Sequence, residues 1–536
     1  MSMITAATWV PRGRAAQFPQ KFEISEEEYD RIGELADLRL QDARDDLEEA
    51  KAGDANEEEA EEEVENQEPT GDAGTSTKAS EGDDDLKEYN LEHYDDEPDG
   101  AGDTMAMFGN VKTLAFHESN EEDPYITIKD EDDHDDEREE LQILPSDNLL
   151  LAARIEDDMA HLEVYIYEDE ADNLYVHHDL MLPDIPLAVE WINYRPGGQT
   201  ENPNAGRSFV AVSTMGPDIE LWDLDVVDAM LPDVVLGKGK EDETTKPSKK
   251  KKKRPKLSND EYHVDAVLSL ASNRSHPNLL ASASADQTIK LWDLNTNTCA
   301  KSYSYHTDKV CSVAWHPKEP TVLLSGSYDR TVVAADMRAP EAKAPRWKVE
   351  SDVENVRWDP HSDSHFYVTT ENGLVHYHDI RSAPTETTSL SPSVWSLQAH
   401  DSSVSSFDIN PIIPGFLATG STDKQVKLWN VTSAGPSMVV SRDLGVGRVF
   451  VTSFAPDQEV GFRLAVAGSK GSVQVWDTST NAAVRRNFAG RVAGMGDGSE
   501  EVKERMVGRN DVDEEDSDDE RDDPNGGSDG YEDMSE

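Results

Sequence analysis

Residues 279–294, which read LLASASADQTIKLWDL, decide the fold of this chain. In two short runs of this stretch, successive side chains would point to opposite faces of a strand, and the turn between the runs carries Asp286. Such alternation is typical of half-buried strands, so the stretch predicts a β-hairpin that ends at Trp292 and Asp293. Related stretches recur along the chain: VLLSGSYDRTVVAAD ends at Asp336, FLATGSTDKQVKLWN at Asn430, LAVAGSKGSVQVWD at Asp477, DIELWD at Asp223 and LVHYHD at Asp379.

The position of Trp292 can be followed through these copies. Its equivalents are Tyr167, Trp222, Ala335, His378, Trp429 and Trp476, and from Trp292 onward they lie 43 to 51 residues apart. A period of roughly 40 to 45 residues with a Trp-Asp ending is typical of WD40 blades, each a four-stranded sheet that needs a neighbour to bury its face. The sequence therefore predicts an all-β fold, a seven-bladed WD40 β-propeller, over residues 105–490.

The two ends of the predicted ring are less regular than its middle. Four runs between residues 141 and 180, LQIL, NLLLAARI, LEVYIYE and NLYVHHDL, predict the first blade, and AAVRRNF after Trp476 is interpreted as a further strand. Two ways of closing the ring stay open. Either the last blade is complete on its own, or an N-terminal strand such as VKTLAFH, at residues 111–117, completes it.

Most of the charge lies outside the repeats. The 536 residues carry a formal net charge of −61, with acidic runs at residues 57–65, 130–140 and 511–523. Such runs repel themselves and hold too little apolar surface to offset chain ordering. They predict disordered acidic tails over residues 51–104 and 491–536 and an acidic loop over 129–140. Ser517, followed by DDE, is a possible phosphosite for an acid-directed kinase.

Cysteine content and hydropathy bear on the compartment. Only two cysteines, Cys299 and Cys311, occur, so we expect packing residues rather than a disulfide framework, and a reducing environment. No apolar run approaches the length of a membrane span, and the N-terminus lacks a basic region followed by an apolar core. We expect a soluble intracellular protein without a membrane partner.

The opening residues 1–24 differ from the acidic sequence that follows. They combine basic and aromatic side chains, which favours a motif that docks on another surface. The candidate docking residues are Trp9, Pro11, Arg12, Gly13, Phe18 and Phe22. An ordered first strand lying on the propeller is the alternative.

Ser25 and Glu28 form a capping box, which with leucines at approximately helical spacing predicts a helix over residues 25–50.

A lysine-rich insertion, residues 237–260, separates the second and third repeats. Its basic part reads KKKKKRPK, and the basic residues are Lys249, Lys250, Lys251, Lys252, Lys253, Arg254 and Lys256. Concentrated positive charge cannot be buried and is typical of a nuclear-localisation signal or a nucleic-acid patch. We favour nuclear import, with a plain solvated loop as the alternative. Contact with phosphate is compatible with import and would weaken with salt.

Sets of histidine, hydroxyl and aspartate recur within the repeats. One set contains His263, Ser282, Asp286 and Trp292, another contains His400, Thr419, Asp423 and Trp429, and a third has His306, Ser325 and Asp329 with Ala335 at the tryptophan position. An active site need occur only once, so recurrence at fixed offsets opposes a catalytic triad. Structural tetrads that satisfy buried polar groups explain the recurrence. With no catalytic motif in the sequence, we expect no enzyme activity, cofactor, metal or small-molecule substrate.

Two groups of exposed positions are candidate contact sites. Arg338 and Arg381 each follow a repeat-ending aspartate by two residues, which resembles the DxR boxes of WD40 receptors for cullin-type ubiquitin ligases. Positions beside the turn aspartates lie on the narrow face of a propeller, where an aromatic and cationic surface is predicted for protein or RNA. The residues of this surface are Lys309, Tyr328, Arg330 and Lys424.

Three stretches together resemble the periodic tryptophan protein family, on the branch of its first member. They are TWVPRGRAAQFPQKFEISEEEYDRI near the N-terminus, DNLLLAARIEDDMAHLEVYIYEDEADNLYVHHDLMLPDIPLAVEWINY in the first repeats, and the lysine-rich insertion. The resemblance covers nearly the whole chain apart from the acidic tails. WD repeats alone are shared by unrelated scaffolds. The missing tryptophans at Ala335 and His378 put in doubt only the regularity of those two blades.

The resemblance implies a nucleolar scaffold that assembles on early large-subunit, pre-60S, particles and supports pre-rRNA processing. Its expected partners are pre-rRNA and large-subunit assembly proteins, with the chain monomeric within a large particle. A histone-binding chromatin protein acting at ribosomal genes is the first alternative, since acidic tails suit basic histone tails. A cullin-type substrate receptor is the second, and it should lose its cullin partner when Arg338 and Arg381 are changed to alanine.

Overall fold

A computed structural model gives the architecture. The structure describes residues 2–22, 138–139, 141–157, 159–198, 208–237, 260–339, 342–384, 390–491 and 502–509. Within these residues the chain forms seven four-stranded antiparallel sheets and one two-stranded ladder. The predicted all-β, seven-bladed WD40 propeller is confirmed. The predicted helix at 25–50, the tract 51–104, the run VKTLAFH, the basic residues 249–256 and Ser517 lie outside the described residues.

Blades are numbered by the chain order of their second strands, and their strands run from the innermost to the outermost. Blade 1 contains β1 (Ser2–Val10), β3 (Asn148–Glu156), β4 (Met159–Glu168) and β5 (Asn173–Leu182). Blade 2 contains β6 (Pro186–Ile192), β7 (Phe209–Thr214), β8 (Ile219–Asp223) and β10 (Val234–Leu236). The parallel ladder joins β2 (Gln20–Lys21) to β9 (Val226–Val227).

Blades 3 to 5 follow one another along the chain. Blade 3 contains β11 (Val267–Ser272), β12 (Leu279–Ser284), β13 (Ile289–Asp293) and β14 (Thr298–Tyr303). Blade 4 contains β15 (Val310–Trp315), β16 (Val322–Ser327), β17 (Thr331–Asp336) and β18 (Arg346–Lys348). Blade 5 contains β19 (Val353–Trp358), β20 (His365–Thr370), β21 (Leu374–Asp379) and β22 (Trp395–Gln398), with a 3-10 turn at Ile380–Ser382.

The last two blades complete the ring. Blade 6 contains β23 (Ser406–Ile409), β24 (Phe416–Gly420), β25 (Gln425–Thr432) and β26 (Gly435–Asp443). Blade 7 contains β27 (Val449–Phe454), β28 (Arg463–Gly468), β29 (Val473–Asp477) and β30 (Arg505–Arg509). Between β29 and β30 lies helix α1 (Ala482–Phe488), and 3-10 turns occupy Gln458–Val460, Thr478–Thr480 and Ala489–Arg491.

The core lies between neighbouring blades. Leu280 pairs with Trp292 across β12 and β13, and both are buried in one cluster with Phe209 and Ile219 of the preceding blade. Successive side chains of a strand point to opposite faces of the sheet. Both faces of a blade carry apolar residues because a neighbouring blade covers each of them. Burying such side chains contributes about 1.5 to 3 kcal/mol each, so every blade depends on its neighbours.

The first blade differs from the prediction. Its innermost strand is β1, which pairs antiparallel with β3 from Ser2 opposite Glu156 to Val10 opposite Leu149. The run LQIL forms no strand, since only Ile143 of its four residues is buried and the Ile143 amide donates to the Gln17 carbonyl. The prediction of LQIL as a strand, and the boundary that left residues 1–24 outside the propeller, are wrong.

The last blade also corrects the sequence interpretation. AAVRRNF is helix α1, in which the Asn481 side chain accepts from the Ala483 amide at 2.9 Å and caps the first turn. Val484 and Phe488, four residues apart, are fully buried, as a helical face requires. The outermost strand is β30, where Met506 pairs with Trp476. The predicted strand at 482–488 and the propeller end at 490 are therefore wrong.

Tryptophans at the ends of inner strands join consecutive blades. The indole of Trp315 donates to the Ala271 carbonyl of the preceding blade at 3.0 Å, and Trp358 donates to Ala314 at 3.1 Å. Trp9 makes the same contact across the ring closure, donating to the Ser453 carbonyl at 3.1 Å. Blade 7 is complete without an N-terminal strand, and β1 closes the ring as part of blade 1.

A buried ion cluster lies across the same closure. The Arg463 guanidinium of blade 7 contacts Asp169 at 2.7 Å and Asp477 at 2.6 Å, and it donates to the Tyr167 hydroxyl at 3.1 Å. Tyr167 in turn donates to Asp169 at 3.0 Å. Asp169 and Tyr167 belong to blade 1, so this cluster ties the first blade to the last.

Candidate interaction surfaces

The two full histidine, hydroxyl and aspartate sets form closed hydrogen-bond chains. In blade 3, His263 lies 2.9 Å from Asp286 through Nδ1 and 2.7 Å from Ser282 through Nε2, and the Trp292 indole donates to the Ser282 hydroxyl at 2.8 Å. Blade 6 repeats the arrangement, with distances of 2.8, 2.8 and 2.9 Å among His400, Asp423, Thr419 and Trp429. The hydroxyls of Ser282 and Thr419 therefore already have hydrogen-bond partners within their own blades.

Burial and pairing fix the charges in these chains. Burial lowers the pKa of His263, although Asp286 partly opposes the change. Burial acts against ionisation of Asp286, but hydrogen bonds from His263 and Thr288 lower its pKa to about 2. A neutral imidazole that donates to a carboxylate and accepts from a hydroxyl satisfies every group without an exposed nucleophile. This arrangement joins strands and their connections.

Blade 4 keeps part of the chain and blade 5 replaces it. His306 lies 3.2 Å from Asp329 and 2.8 Å from Ser325, but Ala335 provides no indole. In blade 5, buried His378 occupies the tryptophan position and its ring stacks on Phe366 at 5.4 Å. Burial, reinforced by nearby His376, lowers the pKa of His378 to about 4.

His378 should make stability sensitive to acid. The folded pKa is about 4 and lies below the ordinary value of 6.5, so the unfolded chain binds more protons between these values and stability falls as pH decreases through that window. At pH 5 the loss due to this group is about 2 kcal/mol relative to pH 8. We expect His378→Phe, which keeps a ring against Phe366, to flatten the pH dependence by about this amount in chemical unfolding at both pH values. An unchanged slope would contradict the assignment.

The N-terminal residues contact the propeller of the same chain. Trp9 is buried, and its ring lies edge-on to Tyr167 with centroids 6.2 Å apart. Arg12 donates to Asn148 at 2.7 Å and pairs with Glu459, while the Phe18 ring lies 4.5 Å from the Arg138 guanidinium. The Phe22 amide donates to the Val227 carbonyl at 2.9 Å. Pro11 is half-buried and Gly13, with a φ of 68°, is exposed in the turn after β1.

These contacts favour the alternative of an ordered first strand. The segment is built into blade 1 and then crosses to blade 2 through the β2–β9 ladder, where the Ala16 amide also donates to Asp225 at 2.7 Å. Trp9 is not available to anchor a partner, because its indole and its buried face are already used. A partner that needs this aromatic side chain would have to open the ring.

The two arginines of the DxR boxes lie on exposed turns after β17 and β21. Arg338 contacts Asp336 at 2.8 Å and Arg381 contacts Asp379 at 2.7 Å, each through a guanidinium nitrogen. Hydrogen bonds from Arg381 lower the pKa of Asp379 to about 2, although burial acts against this. Both guanidinium groups pair with an aspartate of their own box, and a partner would have to compete for them.

The predicted aromatic and cationic surface is divided between two blades. The Tyr328 amide donates to the Lys309 carbonyl at 3.0 Å, and Arg330 contacts Asp352 of blade 5 at 3.0 Å, so Lys309, Tyr328 and Arg330 lie together at one end of blade 4. Lys424, with a φ of 69°, lies in the equivalent turn of blade 6. The carboxylates near Tyr328 were not evident from the sequence. Burial, together with Glu354, Asp352 and Glu371, raises the pKa of Tyr328 to about 12.

Comparison with known proteins gives the family. The model described as WD domain, G-beta repeat matches residues 257–293, 297–333 and 391–430. An uncharacterised WD repeat-containing protein of Schizosaccharomyces pombe is 52% identical, over 95% of this chain and 94% of its own length. Periodic tryptophan protein 1 of Saccharomyces cerevisiae is 37% identical, over 91% of this chain and 90% of its own. This chain belongs to the periodic tryptophan protein 1 family.

A periodic tryptophan protein 1 homolog of Drosophila melanogaster is 32% identical, over 91% of this chain and 96% of its own length. The resemblance predicted from the sequence is thus confirmed. The matched WD repeats end in blades 3, 4 and 6, which are the blades whose histidine contacts both a turn aspartate and a hydroxyl. In the other described blades of this chain, no histidine makes both contacts.

The described residues also bear on membrane and metal chemistry. No helix among them is long and apolar enough to cross a membrane. In the same part of the chain, no group of three or more histidine, cysteine or acidic side chains is arranged to hold a metal ion. Cys311 lies in β15, where its thiol contacts the Val353 carbonyl at 2.8 Å and burial raises its pKa well above the ordinary value. Cys299 is half-buried in β14.

Proposed function

We propose that this chain is a non-catalytic scaffold in ribosome biogenesis that assembles on early large-subunit precursor particles and supports pre-rRNA processing. One structural observation carries the scaffold assignment. The histidine, hydroxyl and aspartate sets are buried and mutually satisfied, so the described propeller offers binding surfaces rather than an exposed nucleophile. Membership of the periodic tryptophan protein 1 family supports the choice of particle.

The proposed setting follows from this role. The chain acts in the nucleus and nucleolus, as one copy within a large particle, with pre-rRNA and large-subunit assembly proteins as partners. A rigid ring suits this role because its two faces and its rim can contact several partners at once. The net charge of −61 would repel RNA phosphates at long range, so RNA contacts should be confined to local basic sites.

A gradient experiment tests the proposal. A tagged, natively expressed chain is sedimented with and without RNase, and the RNA crosslinked to it is sequenced. We expect migration with large-subunit precursors, release by RNase, and crosslinks in their pre-rRNA. A chain that stays at the top of the gradient without enriched rRNA would refute the assignment to precursor particles.

A histone-binding role at ribosomal genes is the second candidate. The partly exposed Tyr328 ring lies near the carboxylates of Glu354 and Glu371, while Asp352 is paired with Arg330. An aromatic ring near carboxylates suits a lysine or arginine side chain. In this case the chain should be nucleoplasmic and released by DNase instead of RNase. Tyr328→Ala should then weaken binding to histone-tail peptides, while the control Tyr194→Ala should not.

The lysine-rich insertion supports nuclear entry. Deleting residues 249–256 is expected to move most of the chain to the cytoplasm, because this deletion removes the concentrated positive charge. Deletion of residues 241–248, which read EDETTKPS in the same insertion, is the control of equal length and should leave the chain nuclear. Fluorescence imaging of both variants decides between import and a plain solvated loop. Unchanged nuclear staining of the first variant would exclude the signal.

A further inference from the structure

Blades 1 and 2 carry an unusual exposed apolar surface. Met159 begins β4 and is 57% exposed, Ile185 precedes β6 and is 44% exposed, and Met215 follows β7 and is 53% exposed. We call these three residues the methionine patch. Seven of the fifteen large exposed apolar side chains in the described part of the chain lie on these two blades or the connection between them.

The three residues of the patch lie at one end of the two blades. The Met215 amide donates to the Ile185 carbonyl at 2.8 Å, which fixes the β7–β8 turn against the connection between the blades. Ala160, next to Met159, pairs with Leu182 three residues before Ile185. Turns at this end of the blades include those that carry Asp286 and Asp423 in blades 3 and 6. The patch therefore extends across neighbouring connections on one face.

The charge around the patch is mostly negative in the described part of the chain. Asp157, Asp184 and Asp218 lie in the same three connections. Residues 155–194 and 208–237 contain many aspartates and glutamates but no lysine or arginine, and Arg154 of β3 is buried and paired with Glu156 and Glu163. A local field of this kind attracts cations and repels phosphates and acidic segments.

We propose that the methionine patch binds a basic segment of another protein, one that inserts aliphatic side chains between the methionines and places lysines or arginines beside the flanking aspartates. Methionine side chains are flexible and polarisable, and they adapt to varied aliphatic partners. RNA is disfavoured because its phosphates would face mostly carboxylates. A second copy of the chain, docked patch to patch, would bring the same carboxylates together. The proposal stands independently of the particle on which the chain acts.

Fluorescence anisotropy with two probes tests the surface. The first probe is a fluorescein-labelled peptide of leucine and lysine patterned as an amphipathic helix, and the second replaces every leucine by serine. The variant is Met159→Gln, Ile185→Gln and Met215→Gln in the full chain. The matched control is Met230→Gln, Leu231→Gln and Met438→Gln, which changes three other exposed apolar residues.

We expect the patch variant to bind the leucine and lysine probe at least tenfold more weakly than the control variant does. Both variants should bind the serine and lysine probe equally, since that probe senses charge alone. Equal affinity of both variants for the first probe would overturn the proposal. Asp184→Asn leaves the apolar residues in place, and it should weaken binding of the first probe and reduce its salt dependence. An unchanged salt dependence would also count against the site.

A crosslinking experiment in cells identifies the natural occupant. A photo-reactive amino acid is placed at position 215 of the natively expressed chain, with position 438 as the control, and the crosslinked segment is sequenced by mass spectrometry. The expected product at position 215 is a segment rich in lysine or arginine with interspersed aliphatic residues. An acidic segment, RNA, a second copy of this chain, or a yield no greater than at position 438 would each overturn the proposal.

Discussion

Removal of residues 2–10 is expected to destabilise the whole propeller, although these residues lie at the start of the chain. The deletion removes the innermost strand of blade 1 and with it buried Ile4, Trp9 and Val10. Replacing one buried tryptophan by alanine typically costs 3 to 5 kcal/mol, so loss of the strand should approach the total stability of a typical domain, about 5 to 15 kcal/mol. Thermal unfolding should show a much lower midpoint and early aggregation.

A peptide supplied in trans separates strand loss from other effects of truncation. Residues 2–22 as a free peptide should raise the unfolding midpoint of the truncated chain in a concentration-dependent way, because binding to the folded form alone stabilises it by mass action. The same peptide with Trp9→Ala lacks the indole that donates to Ser453, and it should need at least a tenfold higher concentration. A truncated chain that unfolds like the intact one would refute ring closure by β1.

The motif that would have located this strand was present in the sequence. Trp9 is followed by Pro11 in TWVP, and the same spacing occurs in AWHP at Trp315 and in RWDP at Trp358. All three tryptophans end an inner strand and donate to the preceding blade. The repeat-ending Trp-Asp pair marks the third strand of a blade. The positions equivalent to this pair therefore indicate seven blades, but they do not indicate the first strand of blade 1.

The last strand could not be located in the same way. RMVGR at residues 505–509 is short, and it follows β29 only after α1 and further residues. Its place is set by pairing with Val473–Asp477, a long-range contact that leaves little local pattern. Helix α1 was recognisable in principle, because Asn481 is a good cap and Val484 and Phe488 are four residues apart. Its position after Trp476 favoured a strand instead.

The recurrent tetrads and the surface residues differ in how far sequence could predict them. The offsets among His263, Ser282 and Asp286 recur in other blades, and the structure brings the three residues into contact. For Tyr328 the sequence indicated an exposed turn but not its neighbours. Glu354 and Glu371 belong to the next blade. Only the packing of blade 5 against blade 4 places their charges near the Tyr328 side chain.

Arg463 should be the most sensitive charged position in the described propeller. Its side chain is 9% exposed and contacts Asp477, which is 6% exposed, and Asp169 of blade 1. Removing one partner of a buried ion pair leaves an uncompensated charge, which typically costs 3 to 5 kcal/mol. We expect Arg463→Ala to lower the free energy of unfolding by about this amount in urea denaturation. Arg338→Ala, which breaks an exposed pair with Asp336, should leave it nearly unchanged.

Neutral replacement of the whole cluster distinguishes a charge effect from lost packing. Arg463→Met combined with Asp169→Asn and Asp477→Asn removes the cation and both carboxylates, so no unpaired charge stays buried at the closure. This triple variant should therefore be more stable than Arg463→Ala, because charge-free replacements of buried ion pairs are often tolerated. If the triple variant were less stable than Arg463→Ala, the contacts that the carboxylates make beyond Arg463, such as those of Asp477 with the Ser479 amide and hydroxyl, would outweigh the buried charge. The cluster would then stabilise the closure through those contacts rather than through the guanidinium.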